Sequence, residues 1–286
     1  MKRNIIYLLG AFVITLASSS CKKESTGSGL KAVFSYVADG YKVNFTNFST
    51  NATEYSWDFG DASGAVSTSK TPQHIFTKKG DFLVSLTAKR GTETSTFVDT
   101  VSIIGPNIKI DGDYSDWQYV EYTYTNPATY GGTLLAVKTF ASSQLINFYL
   151  EGTPDMKIEL FDMYIDADNN PATGFSTYLY PAGSGADFLC EGPPVTPGWG
   201  SVFIHSGEPT AFSFSPVASF DEAMNFSSIS TVNGKKVIEF SIKKTALGTI
   251  RNFVNFCFID LSPAYAALGK IPEAETPASK FIAIPL

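Results

Sequence analysis

The sequence predicts an all-β protein, a small β-sandwich followed by a larger, jelly-roll-like one. Three observations predict it. Aromatic side chains make up 14% of the 286 residues and charged ones 17%, a composition rich in strand formers and poor in the polar residues of surface helices. Apolar and polar residues alternate over short runs, as around Val43 and Phe45 in YKVNFTN, which is the period of a half-buried strand. Asp-Gly, Asn, Ser-Gly and Lys-Gly turns separate those runs, with no heptad or helical stripe between them.

The N-terminus carries an address. Lys2 and Arg3 precede an apolar run from Ile5 to Ala17, then three serines and Cys21. A short positive region, a short apolar core and small residues form a secretory signal over 1–20. The run is too short to cross a hydrocarbon core of roughly 30 Å. Cysteine placed after small residues resembles the lipobox of bacterial lipoproteins, which implies lipidation at Cys21. Ser18 stands where that motif usually has Leu, with Leu16 further back. The small and charged residues of 21–29 suit a flexible tether.

Residues 30–105 read as a first domain. KAVFSYV, YKVNFTNFS, EYSWDFGD, FLVSLTAK and TFVDTVSII are short strands of a small sandwich. The run EYSWDFGDASGAVSTSKTPQHIFTKKGDFLVSLTA resembles the polycystic kidney disease (PKD) domain. Trp57-Asp58-Phe59-Gly60-Asp61, Thr71-Pro72 with His74 and Phe76, and Gly80-Asp81-Phe82 before Val84 and Leu86 carry the resemblance. It implies an immunoglobulin-like spacer or interaction module, with Trp57 and His74 as structural residues.

Residues 106–286 read as the larger sandwich. GTLLAVKTF, QLINFYLEG, IELFDMYIDAD, ADFLCEG, GSVFIHS, KKVIEFSIK and NFVNFCFIDLS are its strands. Lys244–Leu247 and Ala264–Leu268 read as brief helical turns. Ile110-Asp111-Gly112 with Asp116-Trp117, Tyr164 to Gly174, Gly185-Ala186-Asp187-Phe188, and Val237-Ile238-Glu239-Phe240 with Ala246-Leu247-Gly248 occur in this order. Together they resemble family-nine carbohydrate-binding modules and the related DOMON-like sugar- or haem-binding domains. The resemblance implies a binding sandwich whose ligand varies among relatives.

Candidate sites follow from residue chemistry. Asp166, Asp168 and Asn170 place oxygen-bearing side chains at alternate positions, and Ca²⁺ takes about six to eight oxygen ligands. Pro171 and Thr177 stand where an EF-hand needs glycine and glutamate, so the loop is another kind of cation site or an acidic turn. Asp187 is a further candidate ligand. Tyr178, Tyr180 and Trp199 sit in the Gly/Pro-rich loops TYLYPAGSG and EGPPVTPGWGS, where exposed aromatics need a reason. A pyranose ring supplies one by stacking, with Asp187 and Glu191 as partners for its hydroxyls. Burial of these aromatics as lids is the other reading.

Other classes fare worse. A net charge of -6 is wrong for nucleic acid. His74 and His205 are the two histidines, and G-x-S-x-G and H-E-x-x-H are both absent. Haem held by Met163 and His205 is conceivable from the relatives, but Met163 sits within a strand. Cys190 and Cys257 could bridge strands or stay as buried thiols. The expectation is a non-catalytic, outer-membrane lipoprotein that captures a glycan and hands it to transporter components. The alternatives are an adhesion protein, or the accessory module of a secreted enzyme system.

Overall fold

A computed structural model describes residues 29–194, 199–274 and 276–286. Cys21 and the signal lie outside them. The chain is all-β, with strands in two successive sandwiches. Among the described residues no helix is long and apolar enough to cross a membrane.

The first sandwich holds β1 (Phe34–Asp39), β2 (Lys42–Asn47), β3 (Glu54–Asp58), β4 (Val66–Ser67), β5 (Gln73–Ile75), β6 (Gly80–Arg90) and β7 (Glu93–Ile103). Its sheets run β1-β2-β5 and β4-β3-β6-β7, with every pair antiparallel. Alternation decides what is inside. Val43 and Phe45 of β2 are buried, as are Phe82, Val84, Leu86 and Ala88 of β6. Trp57 is fully buried, and its indole N–H donates to Ser69 O at 2.9 Å, so its polar edge is satisfied. Gly60 turns the chain at φ +69°, where a Cβ would lie 2.3 Å from Leu83 O. His74 stacks on Phe59 at 4.0 Å between ring centroids and meets Asp61 at 2.6 Å. Both motif residues are therefore structural, as the sequence implies.

The second sandwich holds β8 (Tyr122–Thr125), β9 (Leu134–Ala141), β10 (Leu145–Gly152), β11 (Leu160–Asp166), β12 (Phe188–Gly192), β13 (Ser201–His205), β14 (Phe214–Ser219), β15 (Met224–Phe226), β16 (Ser230–Val232), β17 (Lys235–Lys243), β18 (Phe253–Leu261), β19 (Ala267–Ile271) and β20 (Ile282–Pro285). One sheet runs β15-β17-β10-β9-β8, with β16 also on β17. The other runs β14-β13-β12-β11-β18-β19, with β20 also on β18. Between them lies an apolar core that includes Phe148, Phe161, Met163, Ile165, Phe240, Phe256 and Phe258.

Glu239 anchors the start of this unit. It is fully buried on β17 and accepts N–H bonds from Asp111, Gly112 and the indole of Trp117 at 2.6–2.9 Å. The Ile110–Trp117 motif is thus a clamp on a carboxylate, and Trp117 is core. Lys244–Leu247 forms the expected 3-10 turn. Residues 264–268 do not form a helical turn: Tyr265 N–H bonds Ser262 O, and β19 begins at Ala267.

Register also decides the cysteines. Cys190 pairs with Met163 and faces the inter-sheet core, whereas Cys257 pairs with Tyr164 and faces outward. Neighbouring residues of β11 point to opposite faces, so a sheet separates the thiols. Both are free and buried.

Candidate functional site

The outer face of the β11-containing sheet carries the candidate site. Pleating sends Leu160, Asp162, Tyr164 and Asp166 of β11 outward, while Phe161, Met163 and Ile165 face the core. Cross-strand register then builds rows. Cys257, Tyr164, Leu189 and Phe203 make an apolar row across β18, β11, β12 and β13. One step along the strands, Ile259, Asp162, Glu191 and Ser201 make a row that turns polar.

Loops cover the apolar row. Tyr180, Phe281 and Ala186 pack on it, with Phe175 and Leu179 at its margin. Tyr180 is 1% exposed and its hydroxyl donates to Pro272 O at 2.9 Å. This corrects its assignment as a sugar contact: the ring is a lid with a satisfied hydroxyl and no free face. Tyr178 is the opposite case. It is 82% exposed and lines an open groove with Pro181, Thr276 and Pro277.

Trp199 is half exposed at the end of the β12–β13 connection. A Cβ on the next residue, Gly200, would lie 2.2 Å from the Phe220 ring, so that position faces the core. Ser201, two residues after Trp199, pairs directly with Glu191. Trp199 itself lies in a bend just before β13.

Asp162 and Glu191 are direct cross-strand partners on this outer face. Burial, then the neighbouring Glu191 charge, pushes Asp162 up to about 7. Burial also raises Glu191, against hydrogen bonds from Tyr265 and Asp162 that favour its charge. Asp162 Oδ1 is buried with no hydrogen-bond partner among the described residues. Tyr265 is exposed and holds the left-handed φ of +62°, which is uncommon for a bulky residue. The Tyr164 phenol feels Asp162, Glu191 and Tyr178. Asp162 and Tyr265 escape the sequence reading because neither stands in a motif, and only register brings them to Glu191.

An acidic cluster occupies the other end of the face. Asp166, Asp168 and Asp187 offer oxygens that all lie within 4.8 Å of one another. Asp187 Oδ2 accepts the Ala167 and Asp168 N–H groups, while Asp166 accepts from Asn170 N–H and the Asn255 amide. Thr173 Oγ1 reaches Asp168 at 3.3 Å. The Asn170 side-chain oxygen accepts from Ala172 N–H and so serves the turn. Asp187 therefore belongs with the acidic set and stands away from the Glu191 row. Hard oxygen donors of this kind suit Ca²⁺.

The haem pairing fails on geometry. Met163 is buried in the inter-sheet core, whereas His205 lies on the outer face of β13, its Nε2 3.0 Å from Ala211 O and its ring against Phe214. A sheet lies between the two side chains.

Comparison with known proteins places residues 33–104 in the PKD domain family. The chain is similar to the PKD1 domain of the Vibrio cholerae metalloprotease PrtV, at 29% identity over 26% of this chain and 96% of that one, with a TM-score of 0.24. It is similar to the PKD1 domain of Vibrio anguillarum Epp at 31% identity over 26% and 93%, with a TM-score of 0.25. A structure described as a promiscuously specific carbohydrate-binding module of the β-sandwich superfamily matches at 16% identity over 80% and 95%, with a TM-score of 0.23. No curated protein matches the chain.

The raised carboxyl of Asp162 ties stability to pH. Its folded value of about 7 exceeds its ordinary 3.8, so between these values the folded state binds more protons than the unfolded one. Its contribution is present below about 4 and lost as pH rises through about 7. Burial raises Asp166, Asp187, Glu191, Glu239 and Asp260 in the same direction. The melting temperature should therefore fall from pH 4.5 to pH 8, and Asp162→Asn should shrink that fall by about 3 °C. Parallel melting curves for the two proteins would refute this assignment.

Proposed function

We propose that the protein is a lipid-anchored, outer-membrane glycan-binding lipoprotein that holds a polysaccharide on the outer face of its second sandwich, without catalysis. The PKD-like domain serves as the spacer, and the captured glycan passes to transporter components. The observation that carries this reading is the pair of exposed aromatics, Tyr178 and Trp199, on loops of the second sandwich. Exposed aromatic planes beside hydroxyl-binding groups suit a pyranose ring, whose C–H face is apolar and whose edge is polar.

The aromatic platform is tested by Trp199→Ala. Because Trp199 is half exposed, its removal should cost about 1 kcal/mol of stability, against 3–5 for a buried ring. Affinity for a neutral oligosaccharide that binds the wild type should fall by about 2 kcal/mol or more. A destabilised mutant with unchanged affinity in calorimetry would sink the platform.

Calcium is the cofactor of this reading, on Asp166, Asp168 and Asp187. Adding Ca²⁺ after chelation, at about a hundred times its Kd, should raise the melting temperature by about 5 °C. Asp168→Ala should abolish that rise. A melting curve indifferent to chelator and Ca²⁺ reassigns the cluster as a hydrogen-bonded turn.

Anchoring rests on Cys21. Cys21→Ser should move the protein from the membrane to the soluble fraction, since several acyl chains anchor stably where one does not. Unchanged membrane association on fractionation removes the lipid from the account.

A further inference from the structure

We propose that the two sandwiches fold as one cooperative body, in which the outer face of the β17-β10-β9-β8 sheet is a docking surface and its partner is the PKD domain of the same chain. The first domain is then more than a spacer, because it completes the fold of the second.

Pleating marks the surface. Ile146, Phe148 and Leu150 of β10 face the core between the sheets, so Asn147, Tyr149 and Glu151 face out. A sheet face left to water carries polar residues. Here Tyr149, Phe140 of β9 and Val237 of β17 are at most 7% exposed, and they join the apolar cluster of the first sandwich, not the core of their own. Trp117 and Val120, from the segment that joins the two units, belong to the same cluster. One apolar core therefore runs from Val43, Trp57 and Leu86 of the first sandwich, through the link, to the sheet of the second.

Direct contacts close the seam. Phe140 meets Tyr41 of the β1–β2 turn edge-on, at 6.4 Å between ring centroids. Lys79, just before β6, donates from Nζ to Ala141 O at 2.8 Å and lies 5.2 Å from the centre of the Phe140 ring. Lys42 lies 5.9 Å from the centre of the Tyr119 ring. Each of these contacts joins a residue of the first sandwich to one beyond the link.

The link itself is held from both sides. Gly105 has φ +85°, and a Cβ there would lie 2.6 Å from the Phe140 ring. A Cβ on Gly40, in the β1–β2 turn, would lie 3.3 Å from Pro106 Cα. Gly105-Pro106 is thus packed where a hinge would need room to swing. Linked domains move by default unless the contact between them is large and apolar. Parting these two would bare Tyr41 and Phe140, so unfolding of either sandwich strips apolar cover from the other. They should open together.

The test uses the full chain in detergent. Calorimetry should give one transition, with equal calorimetric and van't Hoff enthalpies. Val84→Ala opens a cavity in the middle of the first sandwich and should lower the melting temperature by about 5 °C. Native-state hydrogen exchange should then quicken in β10 and β17 by the same factor as in β6. Lys79→Ala removes an exposed side chain whose contacts lie across the seam, and should lower the melting temperature by about 3 °C. The same change at its neighbour Lys78 should leave the melting temperature where it is. The lysine pair carries the test if Val84→Ala does not fold.

Two separate transitions overturn the inference. So does a Val84→Ala protein whose faster exchange stops at Ile103, or a Lys79→Ala protein that melts like Lys78→Ala.

Discussion

Beneath the surface loops, the Tyr180 hydroxyl bonds Pro272 O at 2.9 Å and the ring meets Phe281 edge-on at 5.3 Å. Ala182 N–H donates to Ser279 O, and Gly183 bridges Lys280 in parallel. Two loops are thus knitted into a layer over the apolar row of Tyr164, Leu189 and Cys257. Burying an aromatic ring stabilises by about 1.5–3 kcal/mol when its polar end is satisfied. The extent of that layer decides what stays open. It covers one row of the sheet and leaves out the next, which carries Asp162 and Glu191.

The buried carboxyls show how the molecule separates structure from site. Glu239 has three N–H donors and clamps the start of the second unit. Glu151 has Lys235 and the hydroxyls of Tyr122 and Tyr149. Asp166 and Asp187 have backbone and amide donors. Each arrangement solvates a negative charge from within the protein. Asp162 faces Glu191 across the ladder, and its buried Oδ1 has no donor among the described residues. Perturbed carboxyls of this kind gather at functional sites.

Much of this was legible in the residues, for identifiable reasons. Trp57 to Asp61 could be read because a tight turn and an inward tryptophan constrain the chain locally, and Gly60 confirms how strictly. The strands of the second unit were legible from β-branched and aromatic runs. Their pairing was not. Whether Cys190 could reach Cys257, and whether Met163 could share a ligand with His205, both depended on which face of β11 each side chain meets. Tyr178 and Tyr180 look alike in TYLYPAGSG, yet one is exposed and the other buried, because a single residue beyond the turn at Leu179 meets Phe281. Asp162 was invisible within IELFDMYID, where it reads as one polar residue of a strand. Its role comes from Glu191, which lies 29 positions away in the chain and directly across the ladder.

A single loop joins β11 to β12 at the acidic end of the outer face. Asp166 and Asp168 stand where it leaves β11, Asp187 stands where it enters β12, and Tyr178 and Tyr180 lie between. Three carboxylates within 4.8 Å repel one another, and the surrounding N–H groups offset that repulsion in part. A cation there would remove it and fasten both ends of the loop at once. Closing a loop by its ends restricts the positions open to its middle, where Tyr178 offers its ring to the groove beside Pro277.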